Sequence, residues 1–227
     1  MISVTLQRPW LIARLDQRMR LLSHAPWGAG YVTGQTVLWR EVRNADLPQD
    51  FAVEDWIPAE MARAPVQGEV GMLTSRDVSS WRHARAEVEG AGAEALVTLG
   101  LSNAEAVGTR LPWHSADFGT VNILVACSEP LTETAQLEAL TIAVQARTAA
   151  IMDLGIELAS GRATGTGTDC MVIACPPGEG LYAGLHTPVG EALGRAVREA
   201  VSLAGQDWLA WRDAARAARE DARRQDA

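Results

Sequence analysis

The stretch Thr120-Val121-Asn122-Ile123-Leu124-Val125-Ala126-Cys127-Ser128 decides the fold. Its apolar run is continuous rather than alternating, which marks a strand covered on both faces and therefore central in its sheet. Working outward, Thr132 to Leu154 carries Leu137, Leu140, Val144, Thr148, Ile151 and Met152 at three- and four-residue spacing. That spacing predicts a helix with those residues on one face, ended by Gly155. A polar loop, Ala163-Thr164-Gly165-Thr166-Gly167-Thr168-Asp169-Cys170, then leads into a second apolar run, Met171-Val172-Ile173-Ala174-Cys175. Upstream, Ser3 to Leu11 has short β character, and Gly30 to Val42 reads as a strand pair or one kinked strand.

The remaining segments are read by their punctuation. Asn44 to Pro48 is a loop, and the chain turns at Trp56-Ile57-Pro58. Val70 to Thr74 is a short apolar run. Ser75 has the chemistry of an N-cap, so Ser75 to Glu89 is expected to be helical and to end at Gly90 and Gly92. Glu94 to Leu101 is the next strand. Thr187 caps a helix with Pro188 in its first position and Val189, Leu193, Val197 and Val201 inward. Gly205 is expected to punctuate it, with a last helix from Trp208 to Arg224 that frays at its end. Strands alternate with helices, yet several neighbouring strands lack a helical crossover. The expected fold is therefore α/β, a mixed sheet covered by helices in a single domain, with α+β as the alternative. The domain is expected over residues 1–205, with residues 206–227 a helix packed on it.

Composition narrows the function. The 227 residues carry a net charge of −8, which argues against nucleic-acid binding, since phosphates need a basic face. Neither a signal peptide nor a run of roughly 18 apolar residues for a membrane helix is seen, so a soluble, cytoplasmic protein is expected. Cys127, Cys170 and Cys175 have no framework spacing and read as reduced thiols. Eight tryptophans against two tyrosines and two phenylalanines are unusual. Trp27 and Trp113 sit in Pro/Gly-flanked loops, where an indole either lines a pocket for a broad flat ligand or plugs the core.

The Gly/Thr loop holds the candidate chemistry. Glycines let backbone N–H groups approach a ligand, threonines add hydroxyls, and Asp169 adds a charge or a base. It is not a phosphate-binding loop: no lysine follows, and it leads into a strand rather than a helix. A metal site is not expected, because His24, His83, His114 and His186 are scattered and no His-Glu-x-x-His occurs. Cys175 reads as a small buried hydrophobe, and Cys170 as a nucleophile only if a cation or imidazole lies near it. His186, just before the cap of the last long helix, is a candidate general base. Ser102, Asn103, Thr120 and Asn122 stand at strand ends, where polar groups either line a site or cap turns.

Several strings together resemble the adenosylcobinamide amidohydrolase family (CbiZ type). The Gly/Thr/Asp run at 163–169 is similar to its signature. Gly184-Leu185-His186-Thr187-Pro188-Val189-Gly190-Glu191 resembles its Gly-Lys-His-Thr-x-x-Gly-Glu segment, with Leu185 in place of lysine. Gly100-Leu101-Ser102-Asn103, Gly119-Thr120-Val121-Asn122-Ile123, Ser23–Gly30 and Gly71–Val78 match in order, with Ala29 replacing a glycine. The resemblance implies hydrolysis of the aminopropanol amide of adenosylcobinamide to adenosylcobyric acid, in corrinoid salvage toward coenzyme B12. Pseudo-B12-type corrinoids are substrates of some relatives. Cobalt then enters only within the substrate, and no cofactor is required. Under this reading Gly165 and Gly167, with Thr166 or Thr168, hold the oxyanion. Asp169 or His186 activates water. Asn103, Asn122, Ser102, Thr120 and Thr187 meet the substrate, and Trp27 and Trp113 meet the ring. A homo-oligomer is allowed. The alternative is a corrinoid carrier or sensor without catalysis, with His24 or His114 ligating cobalt.

Overall fold

Val121–Cys127 forms strand β8, and all seven of its residues are buried. The computed structural model describes residues 2–43, 52–109 and 119–225. The expected loop at Asn44–Pro48 lies outside them. An eight-stranded mixed sheet runs in the order β4-β3-β2-β12-β8-β6-β5, with β1 beside β2. Its strands are β1 (Ile2–Gln7), β2 (Trp10–Ser23), β3 (Gly30–Glu41), β4 (Val70–Thr74), β5 (Trp81–Val88), β6 (Ala91–Leu99), β8 and β12 (Cys170–Cys175). β8 and β12 are parallel and are joined through helix α2 (Glu133–Asp153). β12 pairs antiparallel with β2 on its other side. The mixed sheet, covered on one face by α2 and α3 (Pro188–Gln225), matches the expected class.

β2 changes register between Arg14 and Met19. A bulge bends a strand and raises its twist. Here it folds the first half of β2, with β1, β3 and β4, over the inner face of the central strands. The Ile2 N–H reaches Glu94 Oε2 on β6 at 2.7 Å. Trp39, Leu11, Met72, Leu96 and Leu124 fill the space inside the fold. A second core lies between the sheet and the two helices.

α2 is capped by Thr132, whose side chain accepts from the Ala135 N–H. The face it buries is not the expected stripe. Ala135, Gln136, Ala139, Ile142, Ala143, Ala150 and Ile151 are buried, whereas Leu137, Val144 and Met152 are exposed. Gln136 explains this rotation. Its amide donates to the carbonyls of Arg20 and Ile173 at 2.9 and 2.8 Å and accepts from Arg20 Nε at 2.6 Å. A fully buried amide must have its partners, so Gln136 sets which side of the helix meets the sheet.

Three further expectations are corrected. Ser75 to Glu89 is not a helix: after a turn, Trp81–Val88 is strand β5, hairpinned to β6. The two-residue link, Glu89 and Gly90, has positive φ at both positions (49° and 88°), which suits a tight hairpin and not a helix end. Trp56-Ile57-Pro58 is not a turn but lies inside helix α1 (Val53–Met61). Gly205 does not end the last helix, because α3 runs through it. A Cβ at 205 would stand 2.5 Å from Leu154 Cδ1, so the glycine allows close packing of α3 on the end of α2.

The start of α3 follows the expected pattern. Thr187 Oγ1 accepts from Gly190 N–H at 3.0 Å and donates to the Gly184 carbonyl at 2.8 Å. Val189, Leu193, Val197 and Val201 are buried. A Cβ on Gly190 would lie 2.1 Å from the Gly184 oxygen and 2.6 Å from that of Ala183. Because both are backbone atoms, Gly190→Ala should lower stability by about 1–3 kcal/mol, read as a fall in the thermal or urea midpoint.

Candidate functional site

The Gly/Thr loop is held against the turn that follows β6. Its strand β11 (Gly165–Thr166) pairs with β7 (Ala104–Glu105). The Thr164 N–H donates to the Glu105 carbonyl at 2.8 Å, and the Val107 N–H donates to Thr164 Oγ1 at 2.8 Å. Ser102 and Asn103 are thereby brought beside residues 163–169. Gly165 is required by space: a Cβ there would sit 2.6 Å from Arg147 Nη1 and from Asp169 Oδ2. Gly167 is exposed, with open room where a Cβ would be.

Asp169 is a clamp. Its Oδ1 accepts from the Val121 N–H at 2.9 Å and from Thr166 Oγ1 at 2.5 Å. Its Oδ2 accepts from the Thr166 N–H at 3.0 Å and is paired with Arg147 of α2. Four donors saturate two carboxylate oxygens. The side chains of Asp169 and Arg147 are only 13% and 15% exposed. The carboxylate therefore has no lone pair left to take a proton from water, and the expected role of general base does not fit it. Arg147 was not read from the sequence. Its signal is position: it stands one turn beyond Ala135, Ala139 and Ala143 on the row that faces the core, where a charge needs a partner.

The neighbouring polar residues brace the same corner. Thr120 Oγ1 donates to the Thr168 carbonyl at 2.8 Å, and Thr168 Oγ1 donates to the Gly119 carbonyl at 3.2 Å. Asn122 is fully buried, and its Nδ2 donates to the Leu73 carbonyl of β4 at 2.6 Å. It is a strut between β8 and β4, not a group on a ligand-facing surface. Thr187 is likewise engaged as the helix cap. Asn103 differs. Among the described residues its buried Oδ1 has no partner, and the same holds for Glu105 Oε2 and Arg147 Nε. Three orphaned polar atoms on residues that flank one loop are unusual in a folded protein.

Of the histidines given a role from the sequence, the structure brings His24, and not the expected base His186, to the loop. His24, exposed at the end of β2, places Nε2 2.9 Å from the Asp169 carbonyl. A carbonyl only accepts, so Nε2 carries the hydrogen and Nδ1 of the neutral ring holds the lone pair. His186 is exposed on the turn before α3. That turn is tied by the Ala183 N–H to Glu138 at 2.6 Å. Glu138 lies nine residues before Arg147 on α2, about 13.5 Å of helix. No hydrogen bond or ion pair among the described residues joins His186 to the loop. Trp27 is spent on structure: its indole donates to the Gly68 carbonyl at 3.1 Å and its backbone bridges Gly71. Trp113 and His114 lie outside the described residues. Cys170 is no ready nucleophile, since burial and the adjacent Asp169 push its thiol up to about 11. Among the described residues, no three His, Cys, Asp or Glu side chains gather as a metal site. No described helix is long and apolar enough to cross a membrane.

Comparison with known proteins follows the same residues. The family model for adenosylcobinamide amidohydrolase (CbiZ) matches residues 2–213. An adenosylcobinamide amidohydrolase of Halobacterium salinarum is 37% identical over 112 residues, covering 46% of this chain and 46% of that protein. An uncharacterized protein of Methanocaldococcus jannaschii, MJ1613, is 37% identical over 89 residues, covering 37% and 35%. The matches thus span less than half the length of these curated relatives. Among solved structures, the PH0078 protein of Pyrococcus horikoshii OT3 aligns over 86% of this chain and 76% of its own, at 13% identity and a TM-score of 0.43.

Two outcomes are expected from the site's geometry. Asp169→Asn should cost about 3 kcal/mol of unfolding free energy, because it strands a largely buried Arg147. Adding Arg147→Met should restore part of that loss, and a double-mutant cycle by urea denaturation measures the coupling. Cys170 should react with iodoacetamide slowly at pH 7, and faster with each pH unit up to about 11 as thiolate forms. Mass spectrometry of the alkylated protein gives the profile.

Proposed function

The chain belongs to the adenosylcobinamide amidohydrolase family, and on that premise we propose that it hydrolyses the aminopropanol amide of adenosylcobinamide. The products are adenosylcobyric acid and free aminopropanol, and the setting is corrinoid salvage in the cytoplasm. The observation that carries this reading is the juxtaposition of an exposed imidazole, His24, with the exposed Gly167 turn and the unpartnered polar atoms of Asn103, Glu105 and Arg147. An amide needs a base for water, donors for an oxyanion and a proton for its leaving amine. His24 supplies the base and the returning proton, and the exposed Gly167 turn supplies an N–H donor for the oxyanion.

In the proposed reaction, His24 Nδ1 takes a proton from water while Nε2–H stays on the Asp169 carbonyl. The hydroxide attacks the amide carbon. The oxyanion is met by the N–H of Gly167, while the Thr168 N–H stays on Thr166 Oγ1. Collapse breaks the C–N bond, and the imidazolium returns its proton to the leaving aminopropanol nitrogen. Asp169 takes no proton. With Arg147 it fixes the loop, so that the donors are placed before substrate arrives. His186 is then a residue of the α3 turn rather than the base. Pre-placed donors are worth most where little reorganisation is needed.

A second reading has one specific support. The open Nδ1 of His24 could ligate cobalt, which would make the protein a corrinoid carrier or sensor. Incubation with adenosylcobinamide, followed by mass spectrometry, separates the two. Hydrolysis gives adenosylcobyric acid, whereas a carrier changes the corrinoid visible spectrum and releases no aminopropanol. If the enzyme reading holds, His24→Ala should lower turnover by about a hundredfold or more, and His186→Ala and Cys170→Ala should lower it far less. Turnover unaffected by His24→Ala would remove that residue from the reaction.

A further inference from the structure

Two tryptophans assigned no role above stand on α3, and they border an open cleft. Trp208 is buried, whereas Trp211 is half exposed. Between them, the Ser102 turn and the Leu154–Leu158 segment, the surface opens into a cleft of about 820 Å³. Arg216 and Arg219 line its outer part. A second cavity of about 200 Å³ continues it past Arg76 and Gly100, and shares Ser75, Ser102, Trp208 and Trp211 with the first. The larger volume lies in the range of small-molecule sites, roughly 300–1,000 Å³.

The walls are fixed. The Arg76 guanidinium lies 4.8 Å from the centre of the Trp211 ring, and that of Arg212 lies 5.4 Å from Trp208. Arg82 of β5 pairs with Asp207 at 2.5 Å, which holds this turn of α3 to the sheet. Arg76 Nε is buried and lacks a partner among the described residues. Cation–π contact holds an indole in place while leaving its other surface for a ligand. Ser102 connects the cleft to the reacting corner, because it precedes Asn103, whose Oδ1 would lie 2.5 Å from a Cβ on Gly119.

We propose that this cleft receives the corrin ring, with Trp211 against the ring and Arg216 and Arg219 donating to carbonyl oxygens of the amides on its rim. The proposal rests on the corrinoid reading above. An indole suits a broad flat ring, and arginine donors suit amide oxygens. The Ser102 edge then turns one amide arm toward the Gly167 turn. The sequence placed this role on Trp27 and Trp113. The described one of the two, Trp27, has its N–H committed to Gly68, whereas Trp211 has half its surface free.

Steady-state kinetics with adenosylcobinamide test the assignment. Trp211→Ala and the double variant Arg216→Ala/Arg219→Ala should each raise KM by about tenfold, with kcat nearly kept, because they remove binding common to ground and transition states. Trp211→Phe should recover most of the loss. An unchanged KM in both variants overturns the cleft while leaving hydrolysis by the wild type, and so the proposed activity, intact. If the wild type hydrolyses nothing, equilibrium binding of cobinamide decides. Weaker binding by the variants upholds the cleft, and equal binding overturns it. No binding by the wild type overturns both readings. The arginine variant guards against a Trp211→Ala protein that does not fold, since Arg216 and Arg219 are exposed.

Discussion

One ion pair holds the candidate site together. Asp169 directly precedes β12, and on its carboxylate meet Val121, which starts β8, Thr166 of the Gly/Thr loop and Arg147 of α2. Because each oxygen accepts twice, the loop cannot shift relative to the sheet or the helix without losing a largely desolvated charge-assisted bond. The glycine at 165 is a consequence, since the guanidinium and the carboxylate occupy the space a Cβ would need. The Gly/Thr pattern that looked like a flexible cradle is in large part a tightly bonded knot, and its exposed, open position is Gly167.

The clamp reaches α2 only because α2 lies close to the sheet. Ala135, Ala139 and Ala143 form a row at four-residue spacing, and α3 presents Ala192, Ala196, Ala200 and Ala204 in the same way. Small side chains let helix backbones approach, and the density gained stands in for larger residues. Gln136 locks the rotation of α2, and Arg147 follows on the alanine row at the level of Asp169. The fold and the site thus share one helix face.

That shared face marks where the sequence could and could not be read. The continuous run at 121–127 placed the central strand, and Thr187 with Pro188 placed the start of α3, because each signal is local. The stripe of Leu137, Val144 and Met152 misled, since period alone does not say which face packs when the packing face is alanine and glutamine. Trp81 to Val88 misled for a related reason. Ala84, Ala86 and Val88 alternate with Arg85 and Glu87 as a half-buried strand does, but alanine and arginine also suit helices, and the deciding feature was the hairpin at Glu89-Gly90. The corner at Gly165, Thr166, Thr168 and Asp169 was legible as a motif. Its division of labour was not, because hydrogen-bond saturation depends on Arg147 and Val121, remote in sequence from the loop. His24 reaches it from 145 residues away.

The position of the site follows from strand direction. In sheets that are wholly parallel, ligands gather at the carboxyl ends of strands. Here the corner lies at the amino ends of β8 and β12. The sheet is mixed, so the antiparallel neighbours β2 and β6 deliver their carboxyl ends to that same edge: Ser23 stands beside Val172, and Leu99 beside Val121. His24 and the Ser102-Asn103 turn are the residues those two strands release. The opposite edge is closed. Leu131 bridges Pro177 and Gly180, and a Cβ on Gly178 would lie 2.3 Å from that of Pro130. With one edge plugged by loop packing, the other is where carboxyl-terminal turns, the Gly/Thr loop and the later turns of α3 converge. A sheet with β2 or β6 reversed would move His24 or Asn103 to the plugged end, so the antiparallel pairing of these two strands with their neighbours is itself a requirement of the proposed chemistry.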